Sequence, residues 1–120
     1  MDYVKFESET PVPCKGVQTE NWYAWYNTMP LGPTLLIVIG DVQVGNPGVL
    51  AVLKMHEPQG INPQSLMLDL TLVQRPGYWP QIVTTAHARY DEQAEVGTYT
   101  SVSILCEGEI IADVTIDIAT

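Results

Sequence analysis

The sequence predicts an all-β protein, a two-sheet antiparallel β-sandwich of about seven strands with at most one short N-terminal helix. Three observations predict it. Apolar residues recur at every second position through most of the chain; clusters of Gly, Pro and Asn break that alternation every ten to fifteen residues or so; and helical spacing is confined to one stretch near the N-terminus. Successive strand side chains leave opposite faces, so a period of two marks a strand with one covered face.

The elements follow in order. Val4 and Phe6 alternate with Lys5 and Glu7, which makes residues 3–9 a short first strand that Pro11 and Pro13 stop, with Cys14 in the loop beyond. Residues 19–32, TENWYAWYNTMPLG, are the least strand-like. Thr19 is a candidate helix cap, Glu20 suits the first turn and Pro30 marks a stop. In that helix Trp22, Trp25 and Tyr26 share one face at spacings of three and four, and a helix this short must dock through it.

The centre of the chain is Pro33–Met55. Leu35, Leu36, Ile37, Val38 and Ile39 are consecutive, so both faces of that half-strand need cover, and the preceding aromatic segment is the expected cover for the second face. After Gly40, Val42 and Val44 alternate with Asp41 and Gln43. Gly45-Asn46-Pro47-Gly48 forms the turn, and Val49, Ala51, Leu53 and Met55 return as the inner face of the next strand. The turn-rich HEPQGINP over 56–63 leads to Leu66, Leu68, Leu70 and Leu72, a half-buried strand. Beyond QRPGYWP (74–80), with Tyr78 and Trp79, the set Ile82, Thr84, Ala86, Ala88 and Tyr90 faces in, and Asp91 to Glu95 form an acidic loop. Two last strands, about 98–106 and 109–118, flank a Glu107-Gly108 hairpin turn; Ile110, Ala112, Val114, Ile116 and Ile118 are expected inward.

Glu95-Val96-Gly97-Thr98-Tyr99-Thr100-Ser101 resembles the D-x-G-x-Y-x-C segment that opens the sixth strand of immunoglobulin domains, with Ser101 at the position of the family's Cys. The resemblance implies an immunoglobulin-like sandwich topology. It implies no function, because that fold hosts many.

At 120 residues the chain is expected to form a single domain, 1–120, in which an N-terminal strand and aromatic segment (1–33) pack on a core built by 34–120. Its net charge of −9 sets it against polyanions, so neither nucleic acid nor a membrane surface is expected as a partner. The N-terminus has acidic residues and no apolar run, and the longest apolar run is Leu35 to Ile39, so the default expectation is a soluble, cytoplasmic protein. A single Cys14–Cys106 bridge is open to the chain, yet nothing in the spacing indicates it, and Cys106 reads as a small core residue.

Little chemistry is legible. His56 and His87 are the only histidines, and each reads as an exposed structural residue; no H-x-H or H-E-x-x-H spacing occurs. A copper site fails because Cys106 is followed by Glu-Gly-Glu-Ile, and a zinc site would need both cysteines and both histidines to converge from four distant places. Asp91, Glu92 and Glu95, and Glu107 and Glu109, are grouped acids without a calcium-loop pattern, while Asp69, Asp113 and Asp117 read as a solvent face. There is no nucleophile elbow and no phosphate loop. No cofactor is expected.

The leading expectation is therefore a non-enzymatic binding or protein-interaction domain, engaging an unknown protein partner or a second copy. Its candidate patch is Trp22, Trp25, Tyr26, Tyr78 and Trp79, since clustered aromatics are favoured interface anchors. The alternative is a small hydrolase or metal-dependent enzyme using His56 or His87 with nearby carboxylates, which requires a pocket holding one histidine within hydrogen-bond reach of an acid.

Overall fold

The alternation along the chain is realised as eight strands and no helix among residues 10–118, the part that the computed structural model describes. The strands are β1 (Thr10–Val12), β2 (Thr19–Asn27), β3 (Leu35–Val44), β4 (Val49–Met55), β5 (Ser65–Gln74), β6 (Thr84–Gln93), β7 (Ser101–Cys106) and β8 (Glu109–Ile118). The strand expected over 3–9 lies outside the described residues. No helix among them is long and apolar enough to cross a membrane.

The strands build one mixed, strongly curled half-barrel sheet in the order β1-β5-β7-β8-β2-β3-β6, with β4 on β5. Two of the pairings, β2 with β8 and β5 with β7, are parallel, where a purely antiparallel arrangement was expected. Alternation carries no information about strand direction, because a half-covered strand has period two whichever way its neighbour runs. β8 joins the two halves of the sheet: residues up to Thr115 pair with β7, and Ile116 to Ile118 pair with β2. β4 and β6 meet across the concave side.

That side holds the core. Leu36, Val38, Val42 and Val44 of β3, Val49 and Leu53 of β4, the four leucines of β5, Ala88 of β6, and Val102 and Ile104 of β7 are buried together. The inner faces expected for β3, β4 and β5 are those observed. Each fully buried large aliphatic side chain contributes about 1.5–3 kcal/mol before the ordering cost.

Four expectations need correction. Residues 19–27 are a strand, so Trp22, Trp25 and Tyr26 do not share a face. Ala24 and Tyr26 point into the core with Trp22 against it, whereas Tyr23 and Trp25 lie on the opposite side, because aromatic residues fit a pleated surface once both edges have partners. β1 includes Pro11, which a short edge strand tolerates. Asp91, Glu92 and Gln93 belong to β6 and not to an acidic loop, since each pairs with a residue of β3. In β8 the pairing Ile104 with Ala112 shifts to Leu105 with Ile110, leaving Ile111 as an extra residue; this bulge moves Ile110 off the core face, and it is 57% exposed. The Glu107-Gly108 turn occurs as expected, with positive φ at both residues (51° and 87°) as a primed hairpin turn requires.

Candidate functional site

Three places carry chemistry: the outer face of β2, β3 and β6, a histidine pair on that same face, and a cleft at the edge of β5.

The outer face begins with a bulge. Glu20 pairs with Asp41 and Tyr23 with Ile39, so Asn21 and Trp22 together oppose Gly40. Asn21 accepts positive φ (60°), which Asn tolerates better than most residues. Trp22 is thereby turned inward, where its indole occupies the space a Cβ on Gly40 would need, and its Nε1 donates to Thr19 Oγ1 at 2.9 Å. Beyond the bulge Tyr23 and Trp25 point outward and stack, ring centroids 5.2 Å apart. They lie directly across from Ile39 and Ile37, which share their face with Leu35. Tyr23 is 44% exposed and Trp25 partly so, whereas Ile37 is only 3% exposed.

Acids surround this apolar strip. Asp117 pairs with Trp25 and Asp91 with Ile37, while Asp41 follows two residues after Ile39. The Asp117 carboxylate accepts the Tyr23 hydroxyl and, with some burial, raises that phenol above its ordinary range. Arg89 is held by Asp91 at 2.8 Å and offers little free positive charge. Asp41 accepts from Asn21 Nδ2 at 2.9 Å and lies 2.7 Å from His87 Nδ1; these hydrogen bonds, the Asn21 one foremost, hold its carboxyl below the usual carboxylate range.

The remaining aromatic candidates divide. Tyr26 is buried, and its hydroxyl donates to Tyr99 O at 2.9 Å and accepts from Tyr99 N at 2.8 Å, so it belongs to the core and cannot belong to a surface patch. Trp79 lies where a Cβ on Gly48 would be, donates Nε1 to Arg75 O at 3.0 Å and carries the Arg75 guanidinium 4.8 Å from its ring centroid. Arg75 in turn donates to Pro47 O and Gly48 O, so Trp79 clamps the β3–β4 turn. Tyr78 is fully exposed beside it. Tyr23, which the helical reading passed over, is the outward aromatic; the signal for it is plain alternation, Trp22-Ala24-Tyr26 against Tyr23-Trp25.

The cleft arises from how β5 is paired. β4 covers one of its edges from Leu68 to Gln74. The other edge is shared: β7 takes Ser65 to Asp69 and β1 takes Leu72 to Gln74. Leu70 and Thr71 are left with β4 alone, and a cleft of about 390 Å³ opens there, lined by Cys14, His56, Asp69, Thr71 and Glu107 among others. Cys14, just past β1, and Cys106, ending β7, form a disulfide across this gap, with Cα atoms 6.0 Å apart. The expectation of Cys106 as a free core residue is corrected accordingly; it is buried, and it is bonded.

His56 Nδ1 lies 2.9 Å from Asp69 Oδ1 in this cleft, with side-chain exposures of 28% and 39%. His87 is 78% exposed and lies on an open surface. Both histidines therefore contact an aspartate, and only His56 does so inside a cleft. The grouped acids of β6 are engaged locally: Glu92 accepts the hydroxyls of Tyr90 and Tyr99, and Asp91 holds Arg89. Among the described residues the metal-ligating types that converge are Cys14, Cys106 and Glu107, whose ligand atoms lie within 4.8 Å of one another. Neither family models nor curated proteins nor solved structures yield any match to this chain.

Proposed function

We propose that the protein is a non-enzymatic interaction domain that binds another protein through the outer face of β2 and β3. The observation that carries this reading is the stacked Tyr23–Trp25 pair, set outward across from Ile37 and Ile39, with Tyr23 44% exposed. Large rigid aromatics at the centre of a contact supply most of an interface's binding energy. The rim supports a choice of occupant. Asp41, Asp91 and Asp117 surround the strip, so a second copy would set acid against acid, whereas a flat apolar surface edged by Lys or Arg would complement it.

Crosslinking through this face, identification of the basic partner and titration with the purified partner test the reading. Wild-type protein should bind with an affinity that falls as salt rises. A Tyr23→Ala/Trp25→Ala double variant should bind more than tenfold more weakly while staying folded. Equal binding by that variant overturns the proposal.

A second reading has a specific support. His56, oriented through Nδ1 by Asp69 in a cleft, keeps Nε2 for proton transfer, as a small hydrolase or metal-dependent enzyme would need. That reading requires an activity that His56→Ala abolishes and Trp25→Ala spares. As to ancestry, we read the fold as kin to the immunoglobulin-like sandwich; support comes from β4 and β6, at separate ends of the sheet, meeting across the core as two layers do.

A further inference from the structure

The disulfide meets the cleft through Cys14, Glu107 follows Cys106 and lines the same cleft, and a histidine held by a carboxylate lines it too. Disulfides persist in oxidising compartments, whereas a reducing compartment would present the same two sulfurs as thiols. The two conditions therefore produce two different groups at one position.

We propose that reduction of the Cys14–Cys106 bond converts this corner of the cleft into a zinc site, with the Cys14 and Cys106 thiolates and the Glu107 carboxylate as ligands. The three ligand atoms already lie within 4.8 Å of one another. Two thiolates on one tetrahedral zinc, at Zn–S of about 2.3 Å, stand about 3.8 Å apart. Breaking the bond lets the sulfurs separate to that distance, and Cα atoms 6.0 Å apart keep both within reach of one ion. The cleft supplies the entry path from solvent and the open fourth position. His56 and Asp69 line the same cleft. Two soft thiolates with one carboxylate select zinc over the hard cations calcium and magnesium.

The step balances. A dithiol reductant delivers two electrons and two protons to the disulfide and leaves as its own disulfide. On binding, the zinc ion displaces the two thiol protons to solvent.

Cobalt(II) reports the site, because thiolate ligation gives it intense charge-transfer absorption. The whole chain is reduced with a dithiol in urea, freed of reductant without air, and diluted into buffer containing Co²⁺ and then Zn²⁺. The expected result is two titratable thiols before metal, a thiolate–cobalt band that zinc removes, and no band in oxidised protein. Glu107→Gln should weaken cobalt binding at least tenfold while leaving the oxidised fold unchanged. Should the reduced chain be unfolded without metal, zinc must restore the native circular dichroism. Two free thiols with no band, equal binding by Glu107→Gln, or a reduced chain that zinc fails to refold would each overturn the proposal.

Discussion

On the inner face of β2, Trp22 fills the space over Gly40 and Tyr26 bonds both backbone atoms of Tyr99; on its outer face, two residues of the same kind, Tyr23 and Trp25, stack on each other across from Ile39 and Ile37. Residue type is nearly constant across the strand, and the neighbourhood differs. An aromatic ring inside holds a fixed place because a glycine was left bare for it or a backbone pair awaits its hydroxyl. Outside it has neither, and its area stays available to a partner. The same contrast separates Trp79, clamped over Gly48, from Tyr78 beside it in full solvent.

The largest expected effect tests the inner face. Trp22→Ala should cost about 3 kcal/mol in urea unfolding, the order seen when a large packed aromatic is truncated, and a loss below about 1 kcal/mol would place Trp22 in the same class as Trp25. Tyr26→Phe comes next. It strands the Tyr99 N–H in a partly buried position, at a cost of about 1–3 kcal/mol that thermal or urea unfolding will read.

The third prediction concerns pH at the same anchor point. Burial, then the hydrogen bond to Glu92, pushes the Tyr99 hydroxyl up to about 12. In the unfolded chain a tyrosine titrates near about 10. Between those values the folded chain keeps a proton that the unfolded chain has lost, so this contribution is whole below about pH 10 and disappears as pH rises to about 12. Urea midpoints should fall across that window, and Tyr99→Phe should flatten the decline. The part that remains belongs to Tyr90, whose hydroxyl is raised further, mainly by burial and then by Glu92, and to Tyr23, which Asp117 raises. A decline untouched by Tyr99→Phe would contradict the assignment.

The smallest effect completes the contrast. Trp25→Ala should change stability by less than about 1 kcal/mol, as substitutions away from core and caps do, while abolishing most of the partner affinity. A loss as large as that of Trp22→Ala would show the outer face to be structural.

Much of the fold was legible, and the failures have particular causes. The inner faces of β4 and β5 were read to the residue, because Val49, Ala51, Leu53 and Met55, and Leu66, Leu68, Leu70 and Leu72, recur at every second position without a bulge. β2 was misread because aromatics at spacings of three and four also fit a helix, and only pairing with β3 and β8 settles which period operates. In β8 the unbroken run of expected inward positions ignored the bulge at Ile111, which depends on the partner strand. Of the site, the aromatic richness was legible, and so in principle was the outward direction of Tyr23 and Trp25, since they alternate with the inward Trp22, Ala24 and Tyr26; the helical reading of 19–32 hid it.

The sequence by itself determined the strand pattern, the turns and the acidic charge, because these depend on residue type and on neighbours a few positions away. Only the tertiary structure decided which strands run parallel, which aromatics meet solvent, and that Cys14, Cys106 and Glu107 stand together. Those outcomes depend on contacts between residues as distant in sequence as Cys14 and Cys106, 92 positions apart, and local pattern carries no record of them because a strand's period is the same whatever it is placed beside.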